Sequence, residues 1–447
     1  MWSGEAVSRP KECVPLFRGR QKLIACRSGN IIIQYGKQIV DFPFCEISGG
    51  NVLKYHLWHT IVYKTARLCV IPIVRFGLSY RYEKCVQKSS TALIFCNHTT
   101  LWDHLLIGAA CPKHMYFVAG EHLFRKRWLR ILANATVKPI IRRKGVPATE
   151  VVETIKTTLA EGANVWLSPE GVRSINGETA FISPATGKLV KESGAGLVTY
   201  RIHGGYLRSP RWAAVKRKGP MYGEMVAEYT KEQIAEMSVD DLNTAIRRDL
   251  YVNAFNDQKV RPGVYRGERL AEDLETVLYV CPHCREIAKL RSKDDLFSCD
   301  CGFAVRYNEY GLFENASEYA MPFDNIADWD KWQRGYLQEL IPTFLQTTPA
   351  TPIVSDADQR LYKIKDGEAE HLATGRFALF TDRFEFGEGD DARVFLFEDI
   401  AGFAFSLQMK ILFSCKNGTY YEVQSDYPRS AIKYMVLYRY LTGKPCY

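Results

Sequence analysis

The sequence of 447 residues lacks three features that would each have fixed its class. No run of eighteen uncharged apolar residues occurs, so we predict no transmembrane helix. The best candidate, residues 57–76, is interrupted by Lys64, Arg67, Pro72 and Arg75. The first twenty residues contain no apolar segment of the kind found in secretory signals. The pattern G-x-S-x-G is also absent, so an acyl-serine intermediate of the hydrolase kind is not indicated.

Acidic residues are scarce in the first part of the chain. Residues 1–270 contain 40 Lys and Arg against 22 Asp and Glu, a net charge of +18. Residues 271–447 contain 19 against 28, a net charge of −9. A basic region of this size favours binding to nucleic acid or to an anionic membrane surface. The length predicts more than one domain.

Three motifs follow one another across about eighty residues. Asn97-His98 and Asp103 form N-H-x4-D directly after the apolar run 92–96, which we predict to be a buried strand. Residues 139–145 carry Arg143, and residues 167–174 read Leu-Ser-Pro-Glu-Gly-Val-Arg-Ser. This order resembles the glycerolipid acyltransferases, above all the 1-acylglycerol-3-phosphate O-acyltransferases. The resemblance covers about residues 80–255 and implies an α/β domain whose central sheet is flanked by helices.

The spacing of His98 and Asp103 suits general-base catalysis. If a helix begins near Thr100, the Asp103 carboxylate reaches back to one imidazole nitrogen and fixes the tautomer. The other nitrogen can then take a proton from an attacking alcohol. Thr100 and Asp103 also fit a helix-capping box, and the two roles are compatible. We therefore predict direct attack by a substrate hydroxyl on an activated acyl group, with His98 as the base.

The resemblance implies a phosphate-binding site for the acyl acceptor. Its residues would be Arg143, Glu170, Gly171 and Arg173. Guanidinium groups suit phosphate because they donate paired, charge-assisted hydrogen bonds, and glycine permits a tight turn. The sequence departs from the family at Val172, where Thr or Ser is usual, and at Arg142, where many members have an acid.

Four of the thirteen cysteines form a separate pattern, Cys281-x2-Cys284 and Cys299-x-Cys301. Two thiolate pairs on either side of a short hairpin predict a zinc ribbon with one structural zinc ion. A redox-active pair is the alternative, and the second pair is C-x-C rather than C-x-x-C. His283 lies between the first two cysteines and is expected to be exposed. With no export signal, disulfides are not expected.

The remaining patterns predict the domain organisation. Residues 1–55 match no known pattern, and 56–255 form the acyltransferase domain. We expect a linker at 256–278, the zinc ribbon at 279–312, a helical connector at 313–350 and a β-rich domain at 351–447. Helices are expected at 238–254 and 329–345. The last domain has period-two strands at 377–380, 394–397, 403–405, 411–413 and 420–423 and a helix at 428–441. This architecture resembles pleckstrin-homology and GRAM modules.

One further segment bears on location. Residues 121–132 predict a basic amphipathic helix, with Phe124, Trp128 and Leu132 on one side. Such a helix is suited to a membrane interface, although a core helix with a charged outer face has the same pattern. We therefore expect a cytoplasmic protein that binds peripherally to the cytoplasmic face of an anionic membrane.

The function predicted from the sequence is acyl transfer from an activated donor, acyl-CoA or an acyl carrier protein thioester, to lysophosphatidic acid. The product would be phosphatidic acid. Glycerol 3-phosphate or another lysolipid is the alternative acceptor. A non-catalytic, lipid-binding zinc-ribbon scaffold is the alternative of another class, which the intact His98, Asp103, Glu170 and Arg173 argue against. No nucleic-acid partner is expected, because the ribbon lies in the acidic part of the chain.

Overall fold

The computed structural model describes residues 24–27, 30–35, 38–43 and 49–444, except 125, 143–147, 347–350, 366–367 and 407–408. Side chains are described from residue 56 onward, except at 122, 129 and 390. The chain divides into two units, Met1–Ile61 and Val62–Tyr447, and each is described by itself. The first contains a three-stranded antiparallel sheet in the order β1-β2-β3. Its strands are β1 (Ile24–Arg27), β2 (Asn30–Tyr35) and β3 (Gln38–Pro43).

Helix α1 (Gly49–Pro72) continues into a π-helical turn at Ile73–Gly77. Pro72 has no backbone N–H to donate to the preceding turn, and the helix widens directly after it. Most of the segment 57–76 is therefore helical. None of the helices in the described part of the chain is both long and apolar enough to cross a membrane.

The second unit begins with a mixed seven-stranded sheet in the order β4-β10-β9-β5-β8-β6-β7. All of its pairings are parallel except β9–β10. Its strands are β4 (Tyr80–Tyr82), β5 (Ala92–Cys96), β6 (Met115–Gly120), β7 (Ile140–Arg142), β8 (Asn164–Leu167), β9 (Gly196–His203) and β10 (Met221–Tyr229). The connecting helices are α2 (Asp103–Ala110), α3 (Arg127–Thr136), α4 (Thr149–Ala160), α5 (Ala185–Glu192), α6 (Gly205–Arg208), α7 (Lys231–Glu236), α8 (Val239–Leu250) and α9 (Ala254–Val260).

Strand β5 lies at the centre of this sheet and is buried on both faces. Alternate residues of a strand point to opposite faces. Ile94 packs into one hydrophobic cluster, while Leu93 and Phe95 pack into another. A strand covered on both faces is expected to be continuously apolar, as the run 92–96 is. The α/β sheet flanked by helices is thus confirmed.

The region after this sheet is packed rather than extended. The helix expected at 238–254 is two helices, because the Asn253 side chain accepts hydrogen bonds from the backbone of Phe255 and Asn256 and so starts α9. The segment 256–278, expected to be a linker, contains most of α9 and the buried residues Leu274 and Val277. These apolar residues belong to a hydrophobic cluster that continues into the following domains.

A four-stranded antiparallel sheet and a long helix come next. The strands are β11 (Leu290–Lys293), β12 (Leu296–Cys299), β13 (Ala304–Tyr307) and β14 (Phe313–Asn315), paired in that order. Helix α10 (Ile326–Gln346) follows, which confirms the helix expected at 329–345. It buries Trp329 completely against the aromatic side chains of this sheet, among them Phe297 and Phe313.

The C-terminal domain is a seven-stranded antiparallel sheet with a terminal helix, in the order β18-β17-β16-β15-β21-β20-β19. Its elements are β15 (Val354–Lys365), β16 (Glu368–Leu379), β17 (Arg383–Phe386), β18 (Arg393–Leu396), β19 (Ile400–Ser406), β20 (Lys410–Cys415), β21 (Tyr420–Gln424) and α11 (Ala431–Leu441). Leu396 and Ile400 lie on opposite edge strands, yet four residues span at most about 14 Å. If the seven-stranded sheet were flat, its two edge strands would be about 29 Å apart. The sheet must therefore curl until its edges approach.

Candidate active site

His98 and Asp103 form a hydrogen-bonded pair at the end of β5. The His98 Nδ1 and Asp103 Oδ2 atoms are 2.7 Å apart. The Asp103 carboxylate is 1 % exposed and also accepts hydrogen bonds from the backbone of Thr99 and Thr100. These donors satisfy a buried charge that would otherwise be costly. The pair holds the imidazole in one orientation through Nδ1.

The helix begins later than the sequence predicted. Asp103 is the first residue of α2, and Thr99 and Thr100 belong to the turn before it. The Thr100 hydroxyl donates to Asp103 Oδ1 at 2.7 Å and accepts from the Trp102 backbone at 3.0 Å. The turn is thus fixed by side-chain hydrogen bonds of the kind expected near a helix start. The reach of Asp103 back to His98, which the prediction depended on, is unchanged.

The sheet register brings the first and third motifs together. Strands β5 and β8 run parallel with Phe95 opposite Leu167, so both chains leave the sheet at the same edge. Three residues beyond that pair, the His98 backbone N–H donates to Glu170 Oε1 at 2.6 Å. Functional residues commonly gather at the carboxyl ends of parallel strands in sheets of this class.

Glu170 is buried and ties two loops together. Its second oxygen, Oε2, accepts from the Ala180 backbone at 2.6 Å. Burial raises the pKa of this carboxyl from its ordinary 4.5 to about 8, against the lowering effect of the two backbone N–H groups. Both oxygens therefore have main-chain partners, and the side chain fixes the backbone of His98 relative to the loop after β8.

Gly171 and Arg173 occupy the turn after Glu170. Gly171 has φ of +66°, which favours glycine, and its N–H donates to Ser168 O at 3.1 Å. Arg173 is partly buried, and burial lowers its pKa while the nearby Asp103 raises it. Within the described residues, its guanidinium forms no hydrogen bond or ion pair. A cationic side chain therefore lies near Asp103 of the His98–Asp103 pair.

The second motif lies further along the same edge. Arg142 ends β7, an edge strand separated from β5 by β8 and β6. At the usual strand spacing, that places the end of β7 about 14 Å from the end of β5. Arg143, the residue predicted to bind phosphate, lies outside the described residues.

Two functional residues were not assigned a role from the sequence. The Asn97 side chain donates to Ile202 O at 2.9 Å and accepts from Ile202 N at 2.7 Å, which extends the β5–β9 pairing by one residue. The Ser174 backbone N–H donates to His98 O at 2.8 Å. His98 is therefore held through its own N–H and C=O by the loop after β8. The sequence did contain a signal for Asn97, because a polar residue there directly follows a fully apolar strand.

Comparison with known proteins decides the class. The family model described as Acyltransferase matches residues 78–203, which include His98, Asp103, Glu170 and Arg173. The chain carries an acyltransferase domain. This match indicates that the protein is an acyltransferase enzyme.

Two solved structures are similar to parts of this acyltransferase. The 1-acyl-sn-glycerophosphate acyltransferase of Thermotoga maritima is 16% identical, covers 48% of this chain and 89% of its own, and has a TM-score of 0.37. The C-terminal domain of an unknown protein from Leishmania infantum is 10% identical, covers 24% of this chain and 96% of its own, and has a TM-score of 0.16. No match was found among curated proteins.

The acyltransferase also brings its four predicted zinc ligands together. The Sγ atoms of Cys281, Cys284, Cys299 and Cys301 all lie within 4.8 Å of one another. The 281–301 and 284–299 pairs are 3.8 and 3.7 Å apart. A tetrahedral zinc ion with Zn–S distances of about 2.3 Å needs sulfurs about 3.8 Å apart, so the cluster fits this metal. His283 is exposed and stacks on Tyr319 instead of joining the cluster.

The basic helix expected at 121–132 differs from the prediction. A 3₁₀ turn occupies Glu121–Phe124, and the α-helix begins only at Arg127. Trp128, Ile131 and Leu132 are 62%, 61% and 53% exposed on this helix. Spacings of three and four residues place them on one side of α3. Among the described residues, these three side chains therefore form an exposed surface and not a core face. Phe124, predicted to share that side, is half-buried in the 3₁₀ turn.

Proposed function

We propose that the protein transfers a fatty acyl group from an activated donor to the free hydroxyl of lysophosphatidic acid, producing phosphatidic acid. The observation that carries the proposal is the His98–Asp103 pair beside the Arg173 guanidinium on one edge of the sheet. A base and a phosphate-binding cation are what an acceptor with both a hydroxyl and a phosphate requires.

In the proposed reaction, His98 Nε2 takes the proton of the acceptor hydroxyl as its oxygen attacks the acyl carbonyl carbon. The Asp103 carboxylate stabilises the imidazolium that forms. The tetrahedral intermediate then collapses, the bond to the leaving thiolate breaks, and the imidazolium proton passes to that thiolate. Every proton is accounted for without a covalent enzyme intermediate.

The acceptor phosphate is proposed to lie against Arg173 and Arg143. Gly171 provides the turn that presents Arg173, because its φ of +66° favours glycine. Glu170 contributes indirectly by holding the backbone on both sides of the site through His98 and Ala180.

The site is proposed to work on an anionic membrane surface, with the protein bound peripherally at the cytoplasmic face. Trp128, Ile131 and Leu132 on α3 are exposed, as are Leu68, Ile73 and Phe76 near the end of α1. Arg127 and Arg130 flank the α3 residues, and the chain up to residue 270 carries a net +18. Apolar insertion together with basic charge is the pattern of interfacial helices. A two-chain lipid product also leaves more readily into a bilayer than into water.

The four-cysteine cluster is proposed to bind one structural zinc ion. Four thiolates at tetrahedral separations leave no position open for a substrate, so the ion would stabilise the ribbon and take no part in acyl transfer. The cysteine ligands must be reduced, which agrees with a cytoplasmic location.

The test offers the purified protein lysophosphatidic acid and glycerol 3-phosphate in parallel, with a labelled acyl thioester. We expect labelled phosphatidic acid from the first acceptor, and His98→Ala is expected to lower turnover roughly 100- to 10,000-fold. Asp103→Asn is expected to lose less, because the base is retained. His371→Ala is the matched control, since His371 is exposed in the C-terminal domain.

Three results would contradict the proposal. Near-normal turnover by His98→Ala would exclude His98 as the base. A preference for glycerol 3-phosphate would identify the alternative acceptor. Binding of lysolipid without transfer from any thioester would support a non-catalytic scaffold.

A further inference from the structure

A buried carboxylate on helix α10 contacts the loop of the active site. The Asn176 amide donates to Asp330 Oδ2 at 2.8 Å, across 154 residues of sequence. Both side chains are buried, at 8% and 6% exposure. Asn176 lies three residues beyond Arg173, so this contact is made within the third motif's own loop.

Asn176 is part of the turn that touches His98. Its Oδ1 accepts from the Glu178 backbone at 3.0 Å. In the same turn, the Ser174 hydroxyl accepts from Gly177 N, and the Ser174 N–H donates to His98 O. The amide of Asn176 therefore has one partner inside the turn and one outside it, Asp330.

The turn has little room to shift. Gly177 has φ of +100°, and a Cβ there would come within 2.7 Å of the Phe255 ring. Ser174 and Gly177 of this turn line the same small pocket as His98. Closely packed groups transmit displacements to one another, so the position of Asn176 bears on the position of His98.

Asp330 is itself held from the other side. Its Oδ1 accepts from the Gln333 amide at 2.8 Å, and its Oδ2 is 3.1 Å from Arg334 Nε. The side-chain oxygen of Gln333, Oε1, accepts from the backbone N–H groups of Tyr279 and Val280, directly before Cys281. Gln333 is completely buried. The carboxylate is therefore fixed by α10 and by the segment that leads into the cysteine cluster.

We propose that Asp330 is a positioning residue for acyl transfer, acting through Asn176 on the turn that holds His98 and Arg173. Simple packing between α10 and the loop would be served by apolar side chains, whereas a buried carboxylate is costly unless specific donors face it. Here each oxygen has a donor: Oδ1 accepts from Gln333 on α10, and Oδ2 faces Asn176 of the turn and Arg334 on α10. The proposal rests on the acyl transfer proposed above.

The test exchanges the two groups. In Asp330→Asn, the new amide can accept from Gln333 or from Asn176, but not from both, so one buried donor loses its acceptor. In Asn176→Asp, two carboxylates face each other. The double exchange restores the hydrogen bonds to Gln333 and to position 176, because the amide at 330 accepts from Gln333 and donates to the carboxylate at 176. Only the ion pair with Arg334 is lost. Glu339→Gln is the matched control, an exposed carboxylate on the same helix.

We expect each single variant to lower kcat/KM at least about tenfold, and the double variant to recover most of that loss. Hydrogen exchange at residues 174–180 is expected to rise in the single variants and to return in the double variant. Thermal melting shows whether a loss of activity reflects unfolding, and the wild-type protein and His98→Ala are assayed in parallel.

The positioning role would be overturned if the kcat/KM of the single variants equalled that of Glu339→Gln. It would also be overturned if the double variant lost as much kcat/KM as the two single variants combined. Unchanged exchange at 174–180 in Asp330→Asn would do so even if no acyl transfer were measurable. An inactive wild-type protein would contradict the proposed function instead. Failure of the two proposals is therefore distinguishable.

Discussion

At the scale of single residues, the site is built from polar groups whose partners are main-chain atoms. Asp103 accepts from two backbone N–H groups as well as from His98. Glu170 accepts from two others, one of them that of His98 itself. Main-chain donors have little freedom to move, so these acidic side chains fix the position of His98 more firmly than side-chain partners would.

The raised pKa of Glu170, about 8, predicts a pH dependence of stability. Between about 4.5 and about 8 the folded protein retains a proton that the unfolded chain has lost. The contribution of this group to the free energy of unfolding is therefore full below about 4.5 and declines as the pH rises through about 8. In this window the free energy of unfolding falls by at most about 1.4 kcal/mol per pH unit.

Glu170→Gln removes this slope, because an amide cannot ionise. Urea unfolding across the same pH window measures it, with Glu339→Gln as the exposed control. Parallel stability curves for the wild-type protein and Glu170→Gln would show that the carboxyl ionises with an ordinary pKa.

Replacing Arg173 with Ala is expected to weaken the use of phosphate-bearing acceptors. A lost charge-assisted hydrogen bond costs roughly 1.5–3 kcal/mol, which raises the acceptor KM about tenfold or more. The donor KM should stay near its wild-type value. Steady-state kinetics with each substrate varied in turn separates the two, and a change confined to the donor would refute the role given to Arg173.

The sequence predicted the His98–Asp103 contact because both residues belong to one local turn. It could not predict the partners of Glu170. The His98 backbone is 72 residues away and meets Glu170 only through the β5–β8 register. The hydrogen bond from Asn176 to Asp330 joins a loop to a helix 154 residues later, so no local pattern predicts it.

At the scale of elements, α3 decides whether the membrane proposal holds. Ile131→Gln is expected to weaken binding to anionic liposomes, because burying an Ile side chain contributes roughly 1.5–3 kcal/mol. Asn134→Gln is the matched control, an exposed polar position on the same helix. Flotation at low and high salt measures both, and binding should weaken as salt screens the basic charge.

Two outcomes would count against this prediction. Equal flotation of the wild-type protein and Ile131→Gln would mean that α3 does not enter the interface. Protein that stays bound in strong salt and is released only by detergent would show integral insertion.

Elements with strong periodicity were predicted better than polar ones. The strands at 411–413 and 420–423 and the terminal helix were confirmed, because apolar residues alternate or recur there at helical spacing. The long hairpin of β15 and β16 was largely missed: most of 354–376 is polar, and only its pairing with neighbouring strands defines it. The start of α3 was misplaced because the apolar spacing from Phe124 to Leu132 runs on through a 3₁₀ turn.

At the scale of the whole molecule, one hydrophobic cluster joins the end of the acyltransferase sheet to the ribbon and the C-terminal domain. It includes Tyr206, Phe255, Trp329 and Tyr434. Cys281 and Cys299 are members of the same cluster. A metal bound there would stabilise more than the ribbon, because its ligands are packed into a core shared by several domains.

We therefore predict one zinc ion per chain, and a cooperative loss of stability when it is removed. Metal analysis of the purified protein gives the stoichiometry, and melting with and without a chelator gives the stability. Cys299→Ser should lose the ion, whereas Cys415→Ser, at a half-buried thiol outside the cluster, should keep it. Metal-free protein with the four thiols joined as disulfides would favour the redox alternative.

The packing of the segments against one another could not be predicted from composition and motifs. Nothing in the polar composition of 256–278 indicates that Leu274 and Val277 are fully buried against later domains. Contacts of this kind depend on surfaces that exist only after each domain has folded.

The contact between Asn176 and Asp330 also has a consequence for how the protein is made. Residues 78–203 emerge from the ribosome well before α10 has been translated. The N-terminal domains of a chain generally fold first. On the proposal above, the turn beside His98 lacks its outer partner until residues 330 and 333 have emerged. Nascent chains would then acquire full activity only after α10 has emerged, a difference that assays of chains arrested before and after this helix would detect. Synthesis interrupted before α10 would leave behind little active enzyme.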